Sequence, residues 1–179
     1  MVVGVIEKMN DRTPETLRYW LGVDGDTEWE GLAALTFPGT YALMARRSFH
    51  EFDATHDDLV HVSVKNHLHG SLNPLAHIQK EVAFEKAASG FMVADPLTLY
   101  DCCPTSDGAS CVVVAADHVA KRMTDAPVWV RGSGAASDHL ALHDRPSITQ
   151  LKATQTAGRK AYEMANLTPR DIDLAEVHD

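Results

Sequence analysis

The sequence lacks the features of a membrane-spanning, secreted or nucleic-acid-binding protein. No apolar run approaches the roughly 20 residues that span a bilayer. Residues 1–9 do not show the basic segment and following apolar segment of a secretion signal. With 16 Lys and Arg against 25 Asp and Glu, the formal net charge is −9, the wrong sign for binding a polyanion. We therefore expect a cytoplasmic protein that binds neither nucleic acid nor membrane.

Cysteine is also scarce. Cys102, Cys103 and Cys111 are the only three in the chain. An odd number without a secretion signal favours reduced thiols, and adjacent cysteines rarely bridge because the geometry is strained. Cys111 lies in an apolar, β-branched run, so we expect it to be a small buried residue rather than a nucleophile.

Neither a metal-binding pattern nor a dinucleotide fingerprint is present. Four of the ten histidines fall between residues 61 and 77 with no standard zinc spacing, namely His61, His67, His69 and His77. His139 and His143 lie four apart, which on a helix would allow chelation, but a solvated face is favoured. Gly132 and Gly134 lack the third glycine of a dinucleotide motif. We therefore predict no metal site.

What the chain does contain is a series of strand and helix patterns. Apolar, β-branched runs predict buried strands at 2–6, 109–116, 127–132 and 172–177. One helical pattern begins after Thr13, and a second covers 30–54 with a break at Pro38-Gly39. Shorter helical patterns cover 57–68 and 118–123. A long helix is predicted from a Ser147 cap to about Asn166. The small residues at 132–137 allow another backbone to approach closely.

Several short motifs, taken in order, resemble one family. They are Val64-Lys65-Asn66-His67 with Asn73-Pro74, Asp95-Pro96-Leu97, Ser106-Asp107-Gly108-Ala109, Gly132-Ser133-Gly134, and Glu176-Val177-His178-Asp179. Each is weak alone, but their joint order and spacing are similar to the sterol-carrier-protein-type and archaeal thiolases.

The resemblance implies an α/β fold of two similar halves, with a loop domain inserted in the first half. It also implies that this chain holds an incomplete set of those parts. Residues 1–10 would be a strand of the N-terminal half, and 11–106 the loop domain with its return segment. Residues 107–125 would be the last strand and helix of that half, and 126–179 the truncated start of the C-terminal half.

Thiolases make or break a carbon–carbon bond beside a thioester. A cysteine thiolate carries the acyl group, a second cysteine moves the α-proton, and preorganised donors stabilise the enolate oxygen. The resemblance places His178 at the family position that holds one of these donors, a water molecule. The alternative is a structural role, in which His178 lies at the end of a strand and hydrogen-bonds to the backbone.

The same resemblance implies which residues meet the substrate, a coenzyme A thioester, with no covalently bound cofactor. Candidate substrate- or CoA-binding residues are His67, Cys103, Ser106, Asp107 and Gly108. His67 would approach the acyl end of the ligand. Cys103 falls where relatives often carry a serine that contacts pantetheine, and a structural role for it remains equally open.

The family's nucleophilic cysteine is expected before Met1, and its Gly-His-Pro histidine and second cysteine after Asp179. We therefore expect the parent protein to be an acetyl-CoA C-acyltransferase and this chain alone to be inactive. The alternatives are a non-catalytic acyl-CoA- or lipid-binding protein and a structural subunit of an acyl-CoA enzyme complex. Expected partners are further copies of the full-length protein and a zinc-ribbon or 3-hydroxy-3-methylglutaryl-CoA synthase protein.

Overall fold

The computed structural model describes residues 1–23 and 25–178, which form two compact units. The sheet unit comprises Met1–Asp11, Ser106–Asp138 and Leu151–His178. The helical unit comprises Arg12–Thr105 and His139–Gln150.

The described residues form six α-helices and four short strands. In order they are β1 (Val2–Glu7), α1 (Pro14–Gly22), α2 (Phe37–Phe52), α3 (His56–Ser71), α4 (Phe84–Ala88), β2 (Met92–Ala94), β3 (Leu97–Thr98), β4 (Gly108–Val113), α5 (Asp117–Met123) and α6 (Lys152–Ala165). Single 3-10 turns occupy Leu99–Asp101, Leu142–Asp144 and Pro169–Asp171. Among the described residues, no helix is both long enough and apolar enough to cross a membrane.

In the sheet unit, β1 pairs with β4 in antiparallel register, from Val2 opposite Val113 to Glu7 opposite Gly108. Both strands were predicted, but their predicted burial is wrong, since every residue of each strand is at least partly exposed. Cys111 is likewise exposed rather than buried. Pairing satisfies backbone groups along one edge of a strand, whereas burial requires a second layer over its faces.

Two further predicted strands are wrong. Residues 127–132 and 172–177 lie in irregular segments, and neither is paired within the part of the chain that the structure describes. β-branched residues suit a pleated, half-buried surface, but a strand also needs a neighbour to accept its ladder of hydrogen bonds. The sequence pattern therefore indicates strand propensity, but it does not indicate whether a neighbouring strand is available for pairing.

The small-residue segment does lie against another backbone, as its composition predicts. A Cβ atom added to Gly132 would sit 2.2 Å from the Ala161 carbonyl oxygen, and one added to Gly134 would sit 2.0 Å from the Ala157 oxygen. Both carbonyls belong to α6, so residues 132–134 cross that helix at a separation that no side chain permits. Lys160 Nζ also donates to the Ala135 carbonyl at 3.0 Å.

The helical unit is built from capped helices. Thr13 caps α1 by accepting from Thr16 N at 3.3 Å. The expected break at Pro38-Gly39 is instead the start of α2, where Thr36 accepts from Gly39 N and proline occupies the first turn, a position that costs no hydrogen bond. A capping box between Thr55 and Asp58 begins α3.

Its core is small and centres on α3. Val60 of α3 and Ala87 of α4 are fully buried, and Ala42 and Leu97 are 5% and 7% exposed.

The α6 helix of the sheet unit begins later than predicted, because the Ser147 hydroxyl accepts from Thr149 N and Gln150 N in a separate turn. Ser147 therefore does not cap α6.

The crossing of residues 132–134 over α6 generates a prediction. Changing Gly134 to Ala forces a Cβ into the Ala157 carbonyl, and we expect it to lower the free energy of unfolding by about 1–3 kcal/mol, as overpacking does. Gly158→Ala is the matched control in α6, because a Cβ there meets nothing within 4 Å; it should raise stability by roughly 0.5–1 kcal/mol. Urea denaturation followed by circular dichroism measures both, and equal effects would contradict the assigned crossing.

Candidate functional site

The residues predicted to bind or transform a ligand fall in both units. Ser106, Asp107, Gly108 and His178 belong to the sheet unit, while His67 and Cys103 belong to the helical unit. Asp179, the last residue of the predicted C-terminal motif, lies outside the described residues.

Asp107 joins the end of β1 to the start of β4. Its Oδ1 accepts from Met9 N at 2.8 Å, Asn10 N at 3.0 Å and Asn10 Nδ2 at 3.3 Å. The hydrogen bond from the Asn10 backbone N–H is the main reason that the pKa of Asp107 is lowered. The carboxylate is thus ionised and occupied by its own chain. The adjacent Gly108 has open space where a Cβ would be.

His178 follows a turn that is fixed by one carboxylate. Asp171 Oδ2 accepts from Thr168 Oγ1 at 2.7 Å and from Thr168 N at 2.8 Å, and these bonds, the side-chain one foremost, lower the pKa of Asp171. The chain then runs without regular structure to His178, which is exposed. His178 is therefore not at the tip of a strand, as the sequence pattern predicted.

In the helical unit, α3 holds the segment that carries Cys103. Ser63 Oγ donates to the Tyr100 carbonyl at 2.6 Å. His67 Nδ1 contacts the Lys80 carbonyl oxygen at 2.8 Å, and its ring lies edge-on to Tyr100 with centroids 5.9 Å apart. Because a carbonyl oxygen only accepts, Nδ1 is the donor in this hydrogen bond.

A third contact with α3 was missed by sequence reasoning. The side chain of Asp101 is 2% exposed, and its Oδ2 accepts from Thr98 N at 2.7 Å, Thr98 Oγ1 at 2.9 Å and His56 Nε2 at 2.8 Å. Its Oδ1 is buried without a hydrogen-bond partner. The spacing of Thr98 and Asp101 is that of a capping box, which was the available local signal. Nothing in the sequence pairs His56 with Asp101.

The two adjacent thiols lie directly after this buried carboxylate. Cys102 is half-buried and Cys103 is exposed. Burial, followed by the negative charges of Asp101 and Cys103, raises the pKa of the Cys102 thiol. A nucleophilic cysteine needs the opposite shift, toward thiolate at neutral pH. Cys102 is therefore a thiol held in place rather than an activated nucleophile.

The spacing of His139 and His143 does not create a chelating pair. His143 lies in the Leu142–Asp144 turn rather than on an α-helix, and its Nδ1 contacts Glu30 Oε1 at 3.0 Å. Asp26 and Asp144 carboxylates each lie 3.7 Å from Nε2. Among the described residues, no three His, Cys, Asp or Glu side chains are arranged to hold a metal ion.

Comparison with known proteins gives these residues a context. The thiolase C-terminal domain-like family matches residues 134–179. The chain is 45% identical over its full 179 residues to an acetyl-CoA acetyltransferase of Methanothermobacter thermautotrophicus, and 41% identical over 181 residues to that of Methanocaldococcus jannaschii. The chain belongs to the thiolase superfamily.

This thiolase-family chain spans about half the length of the curated relatives that it matches. It covers 46% of each of the two archaeal enzymes and 37% of benzoylsuccinyl-CoA thiolase subunit BbsB from Thauera aromatica, at 36% identity over 143 residues and 79% of this chain. A solved chain of the Ltp2-ChsH2(DUF35) aldolase superposes on 96% of it with a TM-score of 0.73 at 26% identity, again covering 46% of that chain. The thiolase-like fold predicted from the motifs is thus confirmed.

The buried Asp101 yields a prediction for this thiolase-family chain. Asp101→Ala leaves His56 Nε2 and Thr98 N without their acceptor, so we expect the free energy of unfolding to fall by about 1–3 kcal/mol. The exposed Glu28 of the same unit is the control, and Glu28→Ala should stay near wild type. Urea denaturation separates the two outcomes, and a loss equal in both variants would contradict a structural role for the carboxylate.

His143 yields a prediction of pH dependence. The hydrogen bond to Glu30, aided by the charges of Asp144 and Asp26 and opposed by burial, raises the pKa of His143. Its charged form therefore stabilises the fold below the ordinary histidine value of about 6.5, and this contribution is lost as pH rises through the higher folded value. An NMR titration should give a midpoint above the ordinary value. Glu30→Gln should lower the midpoint and Glu28→Gln should not; equal midpoints in all three proteins would refute the assignment.

Proposed function

We propose that the chain forms part of a thiolase-type acyltransferase acting on acetyl-CoA and 3-ketoacyl-CoA thioesters. The observation that carries this is the 45% identity to an archaeal acetyl-CoA acetyltransferase across all 179 residues. Such an enzyme joins two acyl groups by Claisen condensation or separates them by thiolysis. The substrates are coenzyme A thioesters, and no covalently bound cofactor takes part.

In this proposal, His178 orients a water molecule toward the enolate oxygen that develops beside the thioester. A preorganised donor at that oxygen lowers the barrier because it is stronger in the transition state than in the ground state. The exposure of His178 supports the role, since an imidazole at the surface can hydrogen-bond to a water molecule. His178 acts through that water and is not the proton-abstracting base.

The proposed CoA-binding residues are supported by their surroundings to different degrees. Gly108 has open space where a Cβ would lie, and Cys103 is exposed, so each residue, within its own unit, is accessible to a ligand. His67 is held by its hydrogen bond to the Lys80 carbonyl oxygen, so its ring orientation is fixed within the helical unit. Asp107 already accepts three hydrogen bonds, so its contribution is to shape the turn that contains Ser106.

We also propose the family's division of the chain. Residues 1–10 and 107–125 belong to the N-terminal thiolase half, 11–106 to the inserted loop domain, and 126–179 to the C-terminal half. The pairing of β1 with β4 supports it, because strands that far apart in sequence form one ladder and leave the intervening residues as an insertion. The full-length protein is proposed to form a homo-oligomer.

We further propose that this chain alone is catalytically inactive. Acyl transfer needs a cysteine that is a thiolate at neutral pH. Burial raises the pKa of Cys102, and Cys103 and Cys111 are exposed, with neither placed where the family's nucleophile lies. No described cysteine therefore combines the family position with an activating environment.

The inactivity is tested with acetyl-CoA. Purified chain and acetyl-CoA should release no coenzyme A above the rate of a protein-free blank, measured by thiol titration of ultrafiltered samples. A control sample of an archaeal acetyl-CoA acetyltransferase should turn over under the same conditions. Sustained release that Cys103→Ser abolishes would overturn the proposal and identify Cys103 as a nucleophile.

A second candidate function is a subunit of a larger acyl-CoA enzyme complex. Two comparisons favour it: the Thauera relative is named as a subunit, and the similar solved structure is named as the Ltp2-ChsH2(DUF35) aldolase. The proposed partner is a zinc-ribbon or 3-hydroxy-3-methylglutaryl-CoA synthase protein. Co-expression of this chain with each partner from the same source, followed by affinity purification, should yield a fixed stoichiometry with one of them. Recovery of neither, with both soluble, would remove this candidate.

A further inference from the structure

One segment of the chain folds with a different unit from its neighbours in sequence. Residues 139–150, here called the strap, belong to the helical unit, whereas the residues directly before and after them belong to the sheet unit. The strap lies wholly within the described residues and contains one 3-10 turn, Leu142–Asp144, as its regular structure. Ala141 and Leu142 are each 7% exposed and supply the buried part of the strap. Because this apolar contact is small, polar contacts must contribute to holding the strap in place.

His143 is the first polar anchor of the strap. Its backbone N–H donates to Glu30 Oε1 at 3.1 Å, and its Nδ1 lies 3.0 Å from the same oxygen. An ionised carboxylate only accepts, so Nδ1 is the donor of the second bond. The Glu30 side chain is 14% exposed. Burial raises the pKa of Glu30, but the hydrogen bonds that it accepts, chiefly from His143, outweigh burial, so the pKa is lowered and the carboxylate is charged at neutral pH.

Thr149 is the second polar anchor of the strap. Its hydroxyl donates to Glu51 Oε2 at 2.5 Å, and the other oxygen of that carboxylate accepts from Arg47 Nε at 2.6 Å. The bond from Thr149 is the main cause of a lowered pKa of Glu51, and the bond from Arg47 is the next. Glu51 is therefore charged throughout the neutral range, and a threonine hydroxyl does not titrate there. The second anchor is thus insensitive to pH near neutrality, whereas the first one contains an imidazole.

Three carboxylates surround the imidazole of His143. Besides Glu30, the Asp26 Oδ2 and Asp144 Oδ1 atoms each lie 3.7 Å from Nε2. Asp26 and Glu30 lie in one segment of the helical unit, and Asp144 lies in the strap itself. These are the charged groups that act on the ring. A protonated ring lies between charges of opposite sign, whereas a neutral ring leaves three like charges together without a cation, which costs free energy.

We propose that the strap is a pH-controlled latch, closed when His143 is protonated and open at its His143 end when the ring is neutral. The Thr149 anchor holds in both states. The hydrogen bond to Glu30 raises the pKa of His143 against the opposing effect of burial, and the nearby negative charges raise it further. The charged ring therefore stabilises the closed state below the ordinary histidine value, and this stabilisation is lost as pH rises through the higher value in the fold. Because histidine titrates close to neutral pH, the latch responds in that range.

Amide hydrogen exchange of the strap, followed by mass spectrometry near pH 6 and near pH 8, tests the latch. Each rate is divided by the intrinsic exchange rate of an unstructured peptide at the same pH. In the wild-type chain, the corrected exchange of the peptide around His143 should be at least fivefold faster at the higher pH, while that of the peptide around Thr149 changes less than twofold. No difference at His143 between the two pH values, or an equal difference at both anchors, overturns the proposal.

The decisive variant is His143→Gln, because glutamine can donate to Glu30 but carries no charge at either pH. Its strap should exchange at the same corrected rate near both pH values, close to the rate of the open wild-type strap. His139→Gln is the matched control, because His139 is the other histidine of the strap and is exposed. It should keep the wild-type pH response. A wild-type response in His143→Gln, or loss of the response in His139→Gln, overturns the proposal.

Glu30→Gln decides the question if circular dichroism shows that His143→Gln does not fold. It keeps an oxygen acceptor for the His143 N–H groups and removes the charge, so a purely structural contact would survive it. The latch requires the pH response of this variant to shrink at least twofold and to move to lower pH, and a full wild-type response overturns the proposal. The latch is independent of the proposed acyltransferase function, because none of its residues is among those proposed to contact the substrate.

Discussion

The pairing of β1 with β4 is the constraint on which the organisation of this chain depends. It joins residues 2–7 to residues 108–113, and Asp107 reinforces the junction by accepting from Met9 and Asn10. Once those two strands are adjacent, the residues between them must leave and return at neighbouring points. Arg12–Thr105, the larger part of the helical unit, lie between the two strands in sequence and have their own helices, caps and core around Val60.

Carboxylates do much of the local positioning near the proposed site residues. Asp101 fixes the turn before Cys102 and Cys103, Asp107 fixes the turn before Gly108, and Asp171 fixes the turn that leads toward His178. Each accepts from a backbone N–H, an arrangement that satisfies donors which would otherwise be left unpaired at a turn. These three carboxylates therefore shape the chain around the residues that we propose to contact the ligand.

The distribution of burial distinguishes the two units. In the helical unit, α3 packs its Val60 and Ser63 against neighbouring segments, and the buried residues cluster around it. The sheet unit keeps valines, Ile6 and Cys111 in contact with solvent. A sheet whose faces are this apolar is typical of an α/β fold with layers on both sides.

The sequence by itself determined the local structure and the family. Thr13-Pro14 and the small residues at 132–137 specify a helix start and a close backbone approach through properties of the residues themselves, and both appear where predicted. Pro38-Gly39 was predicted to mark a helix boundary. Whether such a boundary ends one helix or begins another depends on the cap at Thr36. The ordered motifs identified the thiolase superfamily because several weak matches in a fixed order are jointly specific.

Only the tertiary structure decided which residues meet across the chain. The contacts of His56 with Asp101 and of His143 with Glu30 join positions 45 and 113 residues apart, and no local pattern encodes such a pairing. The strand propensity at 127–132 and 172–177 likewise does not indicate whether a neighbouring strand is available. The apolar run around Cys111 does not indicate whether another element covers it. Burial and strand pairing each depend on two segments that meet in the folded chain, whereas a local sequence pattern describes only one of them.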